Sequence, residues 1–357
     1  MKKKNIHIAV IVPPFTTVPP KGQGGTERIA HEMIEGLVKR SYKVTLFGAG
    51  KYKGSANFVQ IFKKTITERK IDTTYIEASR PLRIESAYMA RVMREIIKRV
   101  KRDGEFDIIF NHARGGYLFL PLSLFLKTPI VSIMHLPIFK EVAEVLASYK
   151  KPNIITISNS QRKGFPEINY LATVYNGVNL SEFEFCEKPK NYFLYMGAIG
   201  EHKNPKEAIL AAKKAGIKLI LAGGKKREPY FSKEVKPLID GRRIQYLGEI
   251  TDKRRVNLLR HAKGFLFPIK WQEPFGLVMI EAMACGVPVI AYPNGAVSEV
   301  VEDKKTGFIV KNVAEMVKAI KAVDKIERKK CRQRVERYFS AKKMIDDYEK
   351  IIKRLVK

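Results

Sequence analysis

Two glutamates carry the strongest chemical signal in this chain. Glu273 and Glu281 are separated by seven residues within PIKWQEPFGLVMIEAMACGVPVIAYPNGAVSEV, residues 268–300. Glu273 follows the apolar run FLFP, which reads as a strand, and Pro274 presets the start of a helix predicted from Phe275 to Cys285. The backbone N–H groups of Phe275, Gly276 and Leu277 would then open onto a helix end that carries about half a positive charge and binds phosphate readily. Glu281 is expected two turns into the same helix. One carboxylate can therefore face a sugar at the helix mouth while the other reaches further along the ligand. A single helix carboxylate is ordinarily just solvated; the shared string raises this pair above that reading.

Further candidates close other apolar runs. Gly24 and Gly25, in KGQGGTER, come after IHIAVIV and open a helix expected from about Thr26 to Arg40, with Thr26 as its cap. A backbone without Cβ lets a ligand approach closely, although a plain tight turn uses the same residues. His112 in FNHARGG and His135 in TPIVSIMHLP each end a run, with Arg114 placed to meet an anionic group. Trp271 suits either a sugar platform or core packing, and Asn176-Gly177 reads as a turn.

These residues need a scaffold that delivers strand ends to one edge. The first half alternates IHIAVIV, KVTLFGAG, FDIIFNH, TPIVSIMH and NIITISNS with helical segments. The second half repeats the theme with NYFLYMGAIG, IKLILAGG, RIQYLGEI, AKGFLFPI and GVPVIAY, with a helix from Asn204 to Ala215 among them. Runs buried on both faces and spaced by helices predict α/β architecture with doubly wound parallel sheets. Residues 174–191, VYNGVNLSEFEFCEKPKN, read as the hinge, giving domains 1–180 and 181–339. The closing helix, 340–357, has no strand after it and is expected to pack back onto the first domain. Two such domains imply a ligand crevice lined by the carboxyl ends of their strands.

The spacing within EPFGLVMIEAMACGVPVIA resembles the signature of family 4 retaining glycosyltransferases of the GT-B fold. GGTER, NGV at 176–178, YMG followed by HKN, and YLGE before a helix are similar to that family's pattern, in order, over nearly the whole chain. The resemblance implies two Rossmann-like domains, the first for the acceptor and the second for the nucleotide-sugar. It implies that Glu281 holds ribose hydroxyls, that Glu273 contacts the donor sugar, and that Phe275, Gly276 and Leu277 meet the sugar or diphosphate. Lys203 matches the lysine that neutralises the diphosphate, His135 the histidine beside the donor sugar, and Gly24-Gly25 the loop that closes near the donor. The implied activity is transfer of a hexose from a UDP-, ADP- or GDP-sugar to the hydroxyl of a sugar or lipid-linked acceptor. No cofactor is expected. No metal is expected either, since the chain has no Asp-x-Asp pair, the usual holder of a diphosphate-bound ion in the other major glycosyltransferase fold. One position departs: Ala198 follows Gly197 where the family usually has Arg, with Lys270 and Lys21 as candidate stand-ins. A GT-B nucleotide-sugar epimerase, or a basic surface-binding protein with a degenerate site, are the alternatives; paired glutamates in EPFG context argue against the epimerase.

Composition bounds the partners. The 357 residues, 45% hydrophobic and 10% aromatic, suffice for two sizeable cores. Cys186, Cys285 and Cys331 are too scattered for a disulfide framework or zinc site, which points to a reducing, cytoplasmic setting. Ile6 to Val12 is shorter than a secretory apolar region and reads as a strand, and Tyr117 to Leu126 is far below the ~20 residues of a membrane span. The net charge of +31 is spread, +15 over residues 1–180 and +16 over 181–357. Without a clustered stripe or a known motif, nucleic acid is not an expected partner. Basic amphipathic helices at Arg80 to Arg102 and Ala322 to Lys357 suit the anionic inner face of a membrane, or simply solvent.

Overall fold

The computed structural model describes residues 6–22, 24–69, 71, 79–104, 106–150, 153–225 and 228–356. The chain divides into two compact units. The first comprises Met1–Ile157, Gln161–Tyr175 and Ala341–Lys357, and the second comprises Ser158–Ser160 and Asn176–Ser340.

The first unit is built on β1 (His7–Ile11), β2 (Lys43–Ala49), β3 (Asn57–Phe62), β4 (Ile108–Asn111), β5 (Ile130–Met134), β6 (Ile154–Thr156) and β7 (Tyr170–Thr173). Their order is β3-β2-β1-β4-β5-β6-β7, and every ladder is parallel. The second unit holds β8 (Phe193–Met196), β9 (Leu219–Ala222), β10 (Ile244–Tyr246), β11 (Gly264–Phe267), β12 (Val289–Ala291) and β13 (Gly307–Ile309), ordered β10-β9-β8-β11-β12-β13 and again all parallel. Strand order reverses between β1 and β4 in one sheet and between β8 and β11 in the other. Loops that follow strands of a parallel sheet share one edge, so each reversal opens a ligand-accepting notch there. β4, β5, β8, β9, β11 and β12 are wholly buried, which is why they read as unbroken apolar runs.

β3, β7 and β13 gave no such signal. NFVQIF and YLAT are only partly buried and sit at or next to the sheet edges, where one face keeps polar residues. Three expected helices also differ. The first runs Gly25–Lys39, so Gly24 rather than Thr26 is its cap, and no side chain caps it. The helix placed at Phe275 to Cys285 is shorter, Leu277–Ala284, because Gly276 takes φ 85° and breaks the helical path; Glu281 therefore lies little more than one turn in. The basic stretch from Ala322 is not one helix. It breaks at Phe339-Ser340 into Arg328–Tyr338, in the second unit, and Ala341–Leu355, in the first.

That last helix is anchored against the first. Arg40 bridges Asp346 at 2.5 Å and Glu349 at 2.7 Å, and Tyr42 donates to Glu349 at 3.0 Å. Tyr348 is fully buried, edge-on to Phe110 of β4 at 5.5 Å. Loss of a buried aromatic ring leaves a cavity that costs about 3–5 kcal/mol. Tyr348→Ala should therefore lower unfolding stability by about 3 kcal/mol in urea titration; a change under about 1 kcal/mol would show that this helix is not part of the first unit's core.

Candidate functional site

In the second unit the loop after β11, Pro268 to Gly276, gathers the candidate groups. Glu273 is only 8% exposed. Its carboxylate is met by the Lys203 ammonium and, through Oε2 at 2.7 Å, by the indole N–H of Trp271. Lys203 ends a short turn of helix, Glu201–Lys203, after β8, and its Nζ lies 4.7 Å above the Trp271 ring. His202 meets the same ring edge-on at 5.5 Å. Two hydrogen bonds knit the β8 and β11 loops: Asn204 Nδ2 donates to Pro268 O at 3.0 Å, and Lys270 N–H donates to His202 O at 2.9 Å. Residues seventy apart in sequence thus share one polar cluster.

A third loop clamps this one. After β12, Gly295 lies so close to Glu273 that a Cβ would come within 2.3 Å of the Glu273 nitrogen, and its φ is +63°. Both facts require glycine there. Ala296 N–H donates to Glu273 O at 2.9 Å, Gly295 N–H to Gln272 Oε1 at 3.0 Å, and Asn294 Nδ2 to Ile269 O at 2.7 Å. The string PNGA therefore sets the height of Glu273. Beyond it, the helix Leu277–Ala284 starts without a side-chain cap at Gly276. Its first N–H groups thus have no side chain competing with an anion for them.

Glu281 faces elsewhere on that helix. Its Oε1 lies 2.5 Å from Nη1 of Arg255, and both side chains are nearly buried, at 6% and 14% exposure. Burial by itself would lower Arg255, but Glu281 beside it lifts the guanidinium above its ordinary value. Arg255 comes from the helix Asp252–His261, whose cap is Thr251 accepting from Arg254 N–H. Nothing in DKRRVNLLRH distinguishes Arg255 from its neighbours; only the tertiary packing selects it. Of the two stand-ins for the missing arginine, Lys270 is ion-paired with Glu207 at 2.8 Å, and Lys21 is exposed and belongs to the other unit.

The first unit places a second polar group at its own carboxyl edge. His112 and His135, which follow the neighbouring strands β4 and β5, stack at 5.1 Å with His112 Nδ1 and His135 Nε2 2.8 Å apart. Burial and nearby Arg114 push the His135 imidazole down to about 3, and burial with His135 beside it holds His112 well below its ordinary value. Both rings are neutral near neutral pH, so one must donate and the other accept. Arg114 stacks over Phe15 at 3.9 Å. Glu27, two residues past Gly25, is 3% exposed and is pushed up chiefly by burial, with Arg114 pulling the other way. The glycine at 24 answers to the protein itself: its φ is +154°, and a Cβ would meet Pro20 at 2.6 Å. A 330 Å³ cavity lined by His7, Lys43, Thr45, Phe58 and Arg99 includes none of the candidate residues.

Comparison with known proteins bears on both units. Residues 23–182 match the family Glycosyltransferase Family 4, and residues 180–343 match Glycosyl transferases group 1. An uncharacterized glycosyltransferase of Methanocaldococcus jannaschii is 25% identical over 191 residues, 47% of this chain and 49% of that protein. The phosphatidyl-myo-inositol mannosyltransferase of Mycobacterium leprae is 24% identical over 263 residues, 68% of each chain. The match thus spans about half of the first relative's length. Among solved structures, a glycosyltransferase involved in avilamycin A biosynthesis aligns with TM-score 0.74 at 20% identity over 98% of both chains. HepE of Anabaena, solved in complex with UDP and glucose, aligns with TM-score 0.68 at 17% identity over 98% of this chain and 100% of its own. The architecture these structures share with the two parallel-sheet units is the GT-B fold.

The imidazole pair has a consequence for stability. A histidine neutral in the fold and ordinary when unfolded binds more protons in the unfolded chain, so stability is full above its ordinary value of 6.5 and is lost as pH falls toward 3. At pH 5 one such imidazole should cost about 2 kcal/mol. His112→Asn should therefore flatten the decline in urea stability between pH 7.5 and 5. A decline identical to that of the parent chain would mean the pair does not titrate as assigned.

Proposed function

The chain belongs to the group 1 glycosyltransferases, and on that premise we propose that it is a retaining hexosyltransferase, moving a hexose from a nucleoside-diphosphate sugar to an acceptor hydroxyl without a metal ion. One observation carries the reading. Lys203, Glu273 and the uncapped helix start at Gly276 and Leu277 are drawn together by three loops at the carboxyl edge of one sheet. That edge of an open α/β sheet is where ligands bind.

The chemistry suits these groups. As the anomeric carbon parts from the diphosphate, positive charge grows on the sugar ring and negative charge on the leaving phosphate. Lys203 and the helix N–H groups are fixed positive elements for that phosphate, and they need no reorganisation when the charge develops. Together they do the work a divalent ion would otherwise do. Glu273 lies beside Lys203, suited to the sugar hydroxyls and to the charge on the ring. Glu281 takes the ribose. In the first unit, His135 and Gly24-Gly25 lie beyond the strand ends of their own sheet, suited to sugar and phosphate oxygens. The acceptor hydroxyl attacks from the face the diphosphate leaves, and its proton passes to the departing phosphate oxygen, so the anomeric configuration is kept.

HepE of Anabaena, solved with UDP and glucose, supports a nucleotide-sugar donor. The first unit would take the acceptor. Six exposed large apolar residues fall between residues 118 and 145 of that unit, namely Leu118, Leu124, Phe125, Leu136, Phe139 and Val145. They support a lipid-linked acceptor presented at an anionic inner membrane surface. No helix among the described residues is long and apolar enough to cross a membrane.

Proton nuclear magnetic resonance of the product should show the donor's anomeric configuration; inversion would overturn the mechanism. Lys203→Ala should slow transfer by about 10²–10³ with less effect on nucleotide affinity, whereas Glu281→Ala should chiefly weaken that affinity. Normal turnover in both variants would refute the site assignment. Excess EDTA should leave the rate within about twofold of untreated enzyme, a change too small to count as losing a catalytic ion; abolished turnover would refute metal independence.

A further inference from the structure

We infer that Arg255 is a positioning residue for donor binding, holding Glu281 in one orientation so that its carboxylate can accept from the vicinal hydroxyls of the donor ribose. The inference rests on the reading of Glu281 as the ribose acceptor.

Glu281 is on a helix with almost no solvent access, and a carboxylate moved there without a partner takes up a proton or costs several kcal/mol. Arg255 supplies the partner through Nη1 at 2.5 Å. Its own position is over-determined. Nε lies 3.3 Å from Asp252 Oδ1, and the guanidinium sits over the Phe183 ring at 5.5 Å. A planar guanidinium held by a carboxylate on one side and an aromatic face on the other cannot swing, so it fixes the rotamer of what it binds.

The other charged groups nearby have different tasks. Glu182 and Asp252 act on Arg255 rather than on Glu281. Arg260 is paired with Glu184 at 2.7 Å. Arg328 donates to the carbonyls of Cys186 and Ala262, and Arg332 to those of Phe183 and Ala284. The Cys285 thiol, next along the helix, is pushed up to about 12, first by burial and then by Glu281, so it stays neutral. Among the described residues, Arg255 is the cation ion-paired to Glu281.

A charged carboxylate offers lone pairs to two hydroxyls at once, whereas a protonated one must give up part of that capacity to its own O–H. Arg255 therefore acts on donor affinity through the direction in which Glu281 presents its lone pairs. A merely structural arginine would lower unfolding stability alone, and its lysine variant would bind the donor as the parent chain does.

The test is isothermal titration of the full chain with UDP, ADP and GDP and with UDP-glucose, ADP-glucose and GDP-mannose, with unfolding in urea measured on the same variants. Arg255→Met should weaken the tightest of these about tenfold. Arg255→Lys keeps the charge without the fork and should weaken binding about threefold while leaving unfolding stability in urea unchanged. Should the methionine variant fail to fold, the lysine variant decides alone: unchanged affinity there overturns the inference. Glu281→Ala separates the two claims. If it weakens nucleotide binding while the Arg255 variants do not, the inference fails and the ribose reading stands; if it has no effect, the reading itself falls.

Discussion

A carboxylate at 8% exposure is the constraint around which the second unit is arranged. Buried without partners, the Glu273 side chain would cost several kcal/mol, and the fold answers with Lys203 and the Trp271 indole. Meeting that demand ties the β8 loop to the β11 loop. Gly295 then presses the β12 loop onto the Glu273 backbone from the other side. Three strand ends are thereby locked to one another before any ligand arrives, the condition for electrostatic stabilisation without reorganisation.

Charge balance at the site contrasts with the chain as a whole. A net +31 is distributed over the molecule, yet the candidate cations are individually matched: Lys203 with Glu273, Arg255 with Glu281, Lys270 with Glu207. Matching of this kind holds long side chains in one rotamer, which scattered surface lysines do not achieve. The first unit uses a different device. Its histidine pair is kept neutral by burial, giving a polar, uncharged surface at the strand ends beside Arg114.

In both sheets the interior strands are buried and joined in parallel. Most candidate polar groups consequently lie in the loops at one edge or on the helices that follow them. This explains why the candidate residues end apolar runs so regularly: His112 after β4, His135 after β5, Glu273 after β11. The two family matches, over residues 23–182 and 180–343, and the GT-B fold agree with that arrangement.

Much of this was legible in the residues alone. Apolar runs marked the nine strands through the middle of the sheets, because a strand covered on both faces has no polar side to show, and edge strand β10 with them. The string around Glu273 and Glu281 declared itself, because strand, turn, proline and helix are local and adjacent. Edge strands such as NFVQIF escaped notice, since half their surface is solvated. The closing helix was placed at 340–357 and assigned to the first domain because no strand follows it, but its anchor some three hundred residues earlier, at Arg40, left no mark in the local sequence. Pairing was beyond reach for the same reason. Which lysine meets Glu273, which arginine among DKRRVNLLRH meets Glu281, and that His112 stacks on His135 are facts of distance between segments far apart in sequence. Local propensity carries no record of such distances; closing the sheets creates them.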